Sequence, residues 1–159
     1  SAVIPLFITA VMEGRRPTIY GDGSQTRDFT YVANNVQANI LATTAKSVAG
    51  KIINIACGKS YSVLDLFKAI NDALNFQSSN PSNPSKRSLA TNASGVTNPP
   101  ILQSSKPSVL IEPLFAPARK GDIKHSLADI SLARDLLNYK VEVDFTEGIK
   151  RTVKWYFKN

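Results

Sequence analysis

Val3–Glu13 is apolar on most sides, with Pro5 in its first turn and Gly14 just past its end, which predicts a buried helix. Thr18-Ile19-Tyr20 predicts a short strand, broken at Gly21-Asp22-Gly23-Ser24, where glycines and an aspartate suit a tight turn. Asp28-Phe29-Thr30-Tyr31-Val32 is β-branched and aromatic and predicts a second strand. Asn34–Val48 follows as a helix, apolar at Ala33, Val36, Ile40 and Leu41, with Asn34-Asn35 as its cap. Lys51–Ala56 predicts a short apolar strand ending in a Cys57-Gly58 loop. Ser62 with Asp65 three residues on is a capping-box pattern opening a helix over Val63–Leu74. Its apolar face is Val63, Leu64, Leu66, Phe67, Ile70 and Leu74. Asp129 is expected to cap Ile130–Leu137, with Leu132, Ala133, Leu136 and Leu137 facing inward and Asn138 as a left-handed C-cap. Thr146 is expected to cap a last helix over Glu147–Phe157, where Ile149, Val153 and Tyr156 recur at helical spacing.

Gln77–Val109 breaks this patterning. It holds nine Ser, five Pro and four Asn, and neither an aromatic residue nor an acid. Such a composition buries too little apolar surface to offset the entropy of ordering. It reads as a disordered insertion within one domain, whose parts are residues 1–76 and 110–159. Loop-closure entropy grows slowly with length, so the insertion is tolerable.

The totals narrow the functional classes. The chain has 159 residues, of which 43% are apolar, enough for one globular domain. No apolar run approaches the roughly 18 residues that span a membrane. The apolar start lacks a basic n-region and reads as an internal helix of a longer or truncated protein rather than a signal peptide. One cysteine, Cys57, gives no disulfide framework and fits a cytoplasmic setting. The net charge of +7 raises nucleic-acid binding as a class. The cations are scattered, however, and no nucleic-acid-binding motif is present, so no nucleic-acid partner is expected. A polyanionic small ligand fits the charge as well. His125 has no Cys or second His near it in sequence, so no metal site is expected.

Two loops concentrate the candidate chemistry. Arg27, beside Asp28, has the planar fork that grips a phosphate through parallel hydrogen bonds. On its residues alone the segment also reads as an exposed hairpin with a surface arginine. Pro117–Ser126 contains R-x-G-D as Arg119, Gly121 and Asp122, and alone reads also as a basic, solvated loop. Taken together, "IYGDGSQTRDFTYV", "NIACG…SVLDLF", the R-x-G-D loop and "DFTEGIKRTVKWYF" resemble the extended short-chain dehydrogenases/reductases that act on nucleotide sugars. The likeness runs over Ser1–Phe76 and Glu112–Asn159 and is nearest to UDP-N-acetylglucosamine and UDP-glucose or UDP-glucuronate 4-epimerases. It implies an α/β fold, the C-terminal substrate-binding part of an extended Rossmann-type enzyme, with short strands and about five helices. It implies a UDP-sugar as ligand, with Arg27 and Arg119 on the diphosphate and Asp122 on the ribose hydroxyls. By the same resemblance Ala2 and Val3 line the base, though on their residues alone they read equally as plain core; Ser126 contacts the uridine side, and Thr18, Tyr20 and Val63 complete the substrate-binding set.

Other parts of the family's chemistry have no match here. The NAD-binding turn G-x-x-G-x-x-G opens a helix after a strand, whereas Gly21-Asp22-Gly23 lacks the third glycine and precedes a strand. The catalytic base of the resembling enzymes is a Tyr followed four residues later by Lys, and none of Tyr20, Tyr31, Tyr61, Tyr139 and Tyr156 has that partner. No catalytic residue is therefore expected in this chain. NAD and a homodimer are expected only in a full-length enzyme, with an N-terminal Rossmann domain as the missing partner. The alternative is a non-catalytic nucleotide-binding or interaction module built on the same scaffold. Strands whose partners lie in an absent half would leave open edges.

Overall fold

The computed structural model describes residues 3–46, 48–79 and 111–158. Their order is α1 (Val3–Met12), β1 (Thr18–Tyr20), β2 (Thr26–Arg27), α2 (Val32–Thr44), β3 (Tyr61–Ser62), α3 (Val63–Ser79), β4 (Leu114–Ala116), α4 (Ser131–Leu137) and α5 (Phe145–Tyr156). This is the expected α/β arrangement of five helices and short strands. Strands β1 and β4 pair in parallel, Thr18 opposite Leu114 and Tyr20 opposite Ala116. Strands β2 and β3 pair antiparallel, Thr26 opposite Ser62 and Arg27 opposite Tyr61.

Two apolar clusters hold these elements. The first joins Phe7 and Ile8 of α1, Ile19 of β1, Leu66, Phe67 and Ile70 of α3, and Phe145, Ile149 and Val153 of α5. Each such side chain contributes about 1.5–3 kcal/mol when fully buried, so the packing of α3 between α1 and α5 is the main source of stability. The second cluster is smaller. Ala38 of α2, Ala133 and Leu137 of α4, Ala56, Ile130 and Tyr139 close around one another. The Tyr139 hydroxyl donates to the Ala56 carbonyl at 3.0 Å, which satisfies its polar end inside that cluster.

Several local expectations are met in detail. Gly14 has φ +70° beyond the end of α1, and Asn138 is left-handed at φ 52° after α4. The Ser62–Asp65 box forms at the start of α3. The Asp65 Oδ2 accepts from the Ser62 amide at 2.9 Å and from its hydroxyl at 2.7 Å, while the Asp65 amide donates to the Ser62 Oγ at 3.0 Å. Those Ser62 bonds hold the Asp65 carboxyl below its ordinary value of 3.8. A depressed folded pKa contributes stability above the unfolded value, and that stability is lost as pH falls through the folded value. Ser62→Ala is expected to lower stability by about 1 kcal/mol. In thermal unfolding at neutral pH and again well below pH 3.8, the gap to the parent should narrow in acid, where Asp65 is protonated.

Other expectations are corrected. Asp28–Val32 is not a strand: the ladder stops at Arg27, and α2 begins at Val32. The Asp28 carboxylate is instead drawn across to the Cys57 and Gly58 amides, at 3.0 and 2.9 Å, which pulls the backbone out of strand register. Asn34-Asn35 does not cap α2, whose N-cap is Tyr31 without a side-chain bond. Asn34 lies inside the first turn and is fully buried. The helix stops at Thr44, not Val48. Lys51–Ala56 has no ladder partner among the described residues; Ile53 and Ile55 pack on the second cluster while Ile52 is 91% exposed. In α4, Leu132 is half exposed, because a seven-residue helix packed by one face buries only Ala133 and Leu137 fully. Helix α5 is capped by Asp144, which accepts from the Glu147 amide at 2.8 Å, rather than by Thr146. Helix α3 runs on to Ser79, so Gln77–Ser79 are helical; the rest of the expected insertion lies outside the described residues. No described helix is long and apolar enough to cross a membrane.

Candidate functional site

The β1–β2 connection is built rigidly. Gly21 and Gly23 take φ +79° and +78°, which L side chains rarely adopt. A side chain at Gly23 would also lie 2.7 Å from Leu64 Cγ. The Asp22 Oδ1 accepts from the Ser24 hydroxyl at 2.6 Å and amide at 2.9 Å. Those bonds hold the Asp22 carboxyl below its ordinary range. The Gly23 and Gln25 carbonyls accept from the Leu64 and Val63 amides, at 3.2 and 3.1 Å, satisfying orphan donors at the start of α3. The turn is thereby fixed to the helix that carries most of the first core.

The loop after β4 folds back against this turn. Thr26 donates its amide to the Lys124 carbonyl at 2.8 Å, and the Ser126 amide donates to the Thr26 carbonyl at 3.1 Å. Thr26 Oγ1 and His125 Nδ1 lie 3.1 Å apart. Arg27 then locks the two segments. It donates to the Asp122 Oδ1 at 2.6 Å, to the Ile123 carbonyl at 2.5 Å and to the Thr26 carbonyl at 2.8 Å. The pair is about one-third exposed, and Arg27 and Asp122 are 95 positions apart in the chain. The Arg119 guanidinium lies 3.7 Å above the Tyr20 ring, the geometry of a cation–π contact.

Between the two loops is a cleft of about 400 Å³ whose walls include Tyr20, Gly21, Arg119, Asp122 and Lys124. Of the expected site residues, Tyr20, Arg119 and Asp122 therefore share one cavity, with Arg27 behind Asp122. Ser126 joins them only through its amide bond to Thr26. Val63 abuts the turn by its backbone, but its side chain is buried in the first core. Val3 is half-buried and packs on the same core, and Thr18 is exposed at the start of β1, opposite Leu114. Ala2 lies outside the described residues. Lys124 and Gln25 were not anticipated. Lys124 adds a second cation to the cleft wall, and Gln25 braces the turn by donating to the Tyr20 carbonyl at 2.8 Å. The only sequence signal for Lys124 was its place two residues after Asp122 in a basic loop.

The turn does not fit a dinucleotide. Its Gly21 amide is already donated to the Ala116 carbonyl at 2.9 Å, its Ser24 amide to Asp22, and it leads into a strand rather than a helix. A pyrophosphate cradle needs free amides at a helix N-terminus. No cluster of metal-ligating side chains exists among the described residues.

Fold and cleft together define an α/β unit with a cation-lined cavity between two loops. Residues 1–152 match the GDP-mannose 4,6 dehydratase family, to which the chain belongs. It is 31% identical over 159 residues to a putative UDP-glucose 4-epimerase of Methanocaldococcus jannaschii, covering all of this chain and 40% of that protein. Among solved structures it resembles the UDP-N-acetylglucosamine 4-epimerase of Methanobrevibacter ruminantium in complex with UDP-N-acetylmuramic acid, at 36% identity and a TM-score of 0.71. It also resembles the UDP-glucose 4-epimerase of Thermotoga maritima with UDP-glucose, at 26% identity and a TM-score of 0.72. Each of these matches covers 99% of this chain and 40% of the solved one. The chain thus spans about 40% of the length of these relatives.

Proposed function

We propose that this chain supplies the UDP-sugar-binding part of an NAD-dependent UDP-hexose 4-epimerase. The observation that carries the reading is the cleft in which Arg119, Tyr20, Asp122 and Lys124 meet from two distant segments, with Arg27 fixing one wall. Arg119 and Lys124 face the diphosphate, and Asp122 lies within reach of the ribose hydroxyls. Solved relatives that hold UDP-glucose, or UDP-glucuronic acid with NAD, support the same ligand class. NAD and the proton-transferring groups belong to a separate N-terminal Rossmann domain, on this reading, and the homodimer to the full-length enzyme. Binding of the remote nucleotide end then serves catalysis by positioning the reacting sugar.

Calorimetric titration with UDP, and a coupled assay with UDP-glucose, UDP-N-acetylglucosamine and added NAD, test both halves of this proposal. The chain is expected to bind UDP at one site and to turn over neither sugar. Turnover by the pure chain would sink the division of labour, and absence of UDP binding would sink the assignment of the cleft. The misfit of the glycine turn to NAD also favours a second reading, a nucleotide-binding module without chemistry of its own. The two separate once an upstream segment bearing the glycine turn and Y-x-x-x-K is joined to the chain and assayed.

A further inference from the structure

A second cavity, of about 520 Å³, has Cys57, Lys59 and Tyr61 in its lining and shares no lining residue with the Arg119 cleft. Its size is within the range of small-molecule sites. Its floor is apolar: Cys57, Ile130, Tyr139 and Phe145 are all buried, and Phe145 stacks on Tyr61 at 4.0 Å between ring centroids and 14° between planes. Its rim is cationic. Lys59, Arg134 and Lys140 line it, and none of the three takes part in an ion pair among the described residues. The acids nearby keep their charge, so the lining sets three cations against one carboxylate; Asp28 and Glu142, whose charges reach Tyr139, accept from the Cys57 and Gly58 amides and from Gln37, respectively. Asp144, the one carboxylate in the lining, caps α5, and Asp129, whose charge reaches Arg134, accepts from the Ser131 amide and hydroxyl at 2.9 and 2.7 Å.

The walls are also held in place. The Asp28 carboxylate fixes the Cys57 and Gly58 amides. Gly58, at φ +66°, is so close to the opposite wall that an added Cβ would lie 3.0 Å from Ile130 Cδ1 and 3.8 Å from Arg134 Nη2. We infer that this cavity is a binding site for a small amphipathic anion, with a planar apolar body on the Tyr61–Phe145 side and one anionic group among Lys59, Arg134 and Lys140. A bare inorganic anion would leave the apolar floor unmatched, and a neutral hydrocarbon would leave three cations facing it. This site stands independently of the nucleotide reading above.

Naphthalene-1-sulfonate serves as the probe, with naphthalene-1-methanol as its neutral counterpart, in an amide-resolved NMR titration of the 159-residue chain. The sulfonate is expected to shift the Gly58, Lys59 and Lys140 amides saturably, and to do so equally with UDP present. Arg134→Gln with Lys140→Gln, both exposed and in no ion pair among the described residues, should weaken it about tenfold without changing the fold, and the neutral alcohol should bind more weakly by a similar factor. Equal binding of the alcohol, or no loss in the double variant, would overturn the anionic assignment. Shifts confined to the exposed Val32, Val36 and Ile40 stripe of α2, or displacement by UDP, would overturn the site itself.

Discussion

Asn34→Ala is expected to lower the stability of the chain by about 3–5 kcal/mol, at the top of the range for single substitutions. The residue is fully buried in the first turn of α2. Its Nδ2 donates to the Val143 carbonyl at 2.7 Å, and its Oδ1 accepts from the Val143 and Glu142 amides at 3.0 and 3.2 Å. It thus stands in for a strand partner, satisfying three backbone groups of a segment that has none. Alanine leaves all three unpaired and adds a cavity; the two groups on buried Val143 cost about 1–3 kcal/mol each, while the amide of exposed Glu142 turns to water at little cost. The segment it holds leads directly into Asp144 and α5, so the loss spreads to the first core. Thermal unfolding checks the magnitude, and Asn34→Leu separates the causes. Leucine refills the volume but restores no hydrogen bond. If it recovers the parent stability, cavity formation dominates and the bonds contribute little.

The same residue shows where sequence reading stops. An Asn near a helix start is a good cap by propensity, and that local rule pointed to Asn34. Its actual role depends on a segment 109 positions away, which no local pattern reveals. The α5 cap was legible in principle, since Asp144-Phe145-Thr146-Glu147 has the spacing of a capping box, with an acid in place of the hydroxyl. Ser62–Asp65 and Asn138 were legible because the whole interaction lies within a few residues. Lys51–Ala56 has the composition of a strand, but pairing is a property of two segments, and the described residues supply no second one. At the cleft, the residue types and the two loops were readable from Arg27, Arg119 and Asp122. That Arg27 spends its charge on Asp122, leaving Arg119 and Lys124 as the cations lining the cavity, follows only from how the loop after β4 folds back on Thr26.

That asymmetry shapes the largest effect expected on binding. Charge-assisted hydrogen bonds contribute roughly 1.5–3 kcal/mol each, so Arg119→Ala should weaken UDP binding about tenfold to a hundredfold. It should leave thermal stability almost unchanged, because an exposed cation–π contact is worth only about 0.5–1 kcal/mol. Arg27→Ala should weaken binding over the same range by a different route. It removes the donor that holds Asp122 and the Ile123 carbonyl, so the loop carrying Arg119 loses its anchor and stability falls as well. Arg27→Lys should rescue poorly, since a point charge cannot serve three acceptors set around a planar fork. Asp122→Ala should cost less than either, because it removes contacts to neutral ribose hydroxyls and only one of the two bonds by which Arg27 anchors the loop, the bond to the Ile123 carbonyl remaining. Calorimetric titration with UDP, run beside thermal unfolding for each variant, resolves the two routes. If Arg27→Ala and Arg119→Ala both bind UDP like the parent, the diphosphate is held elsewhere and the cleft between the two loops is not its site.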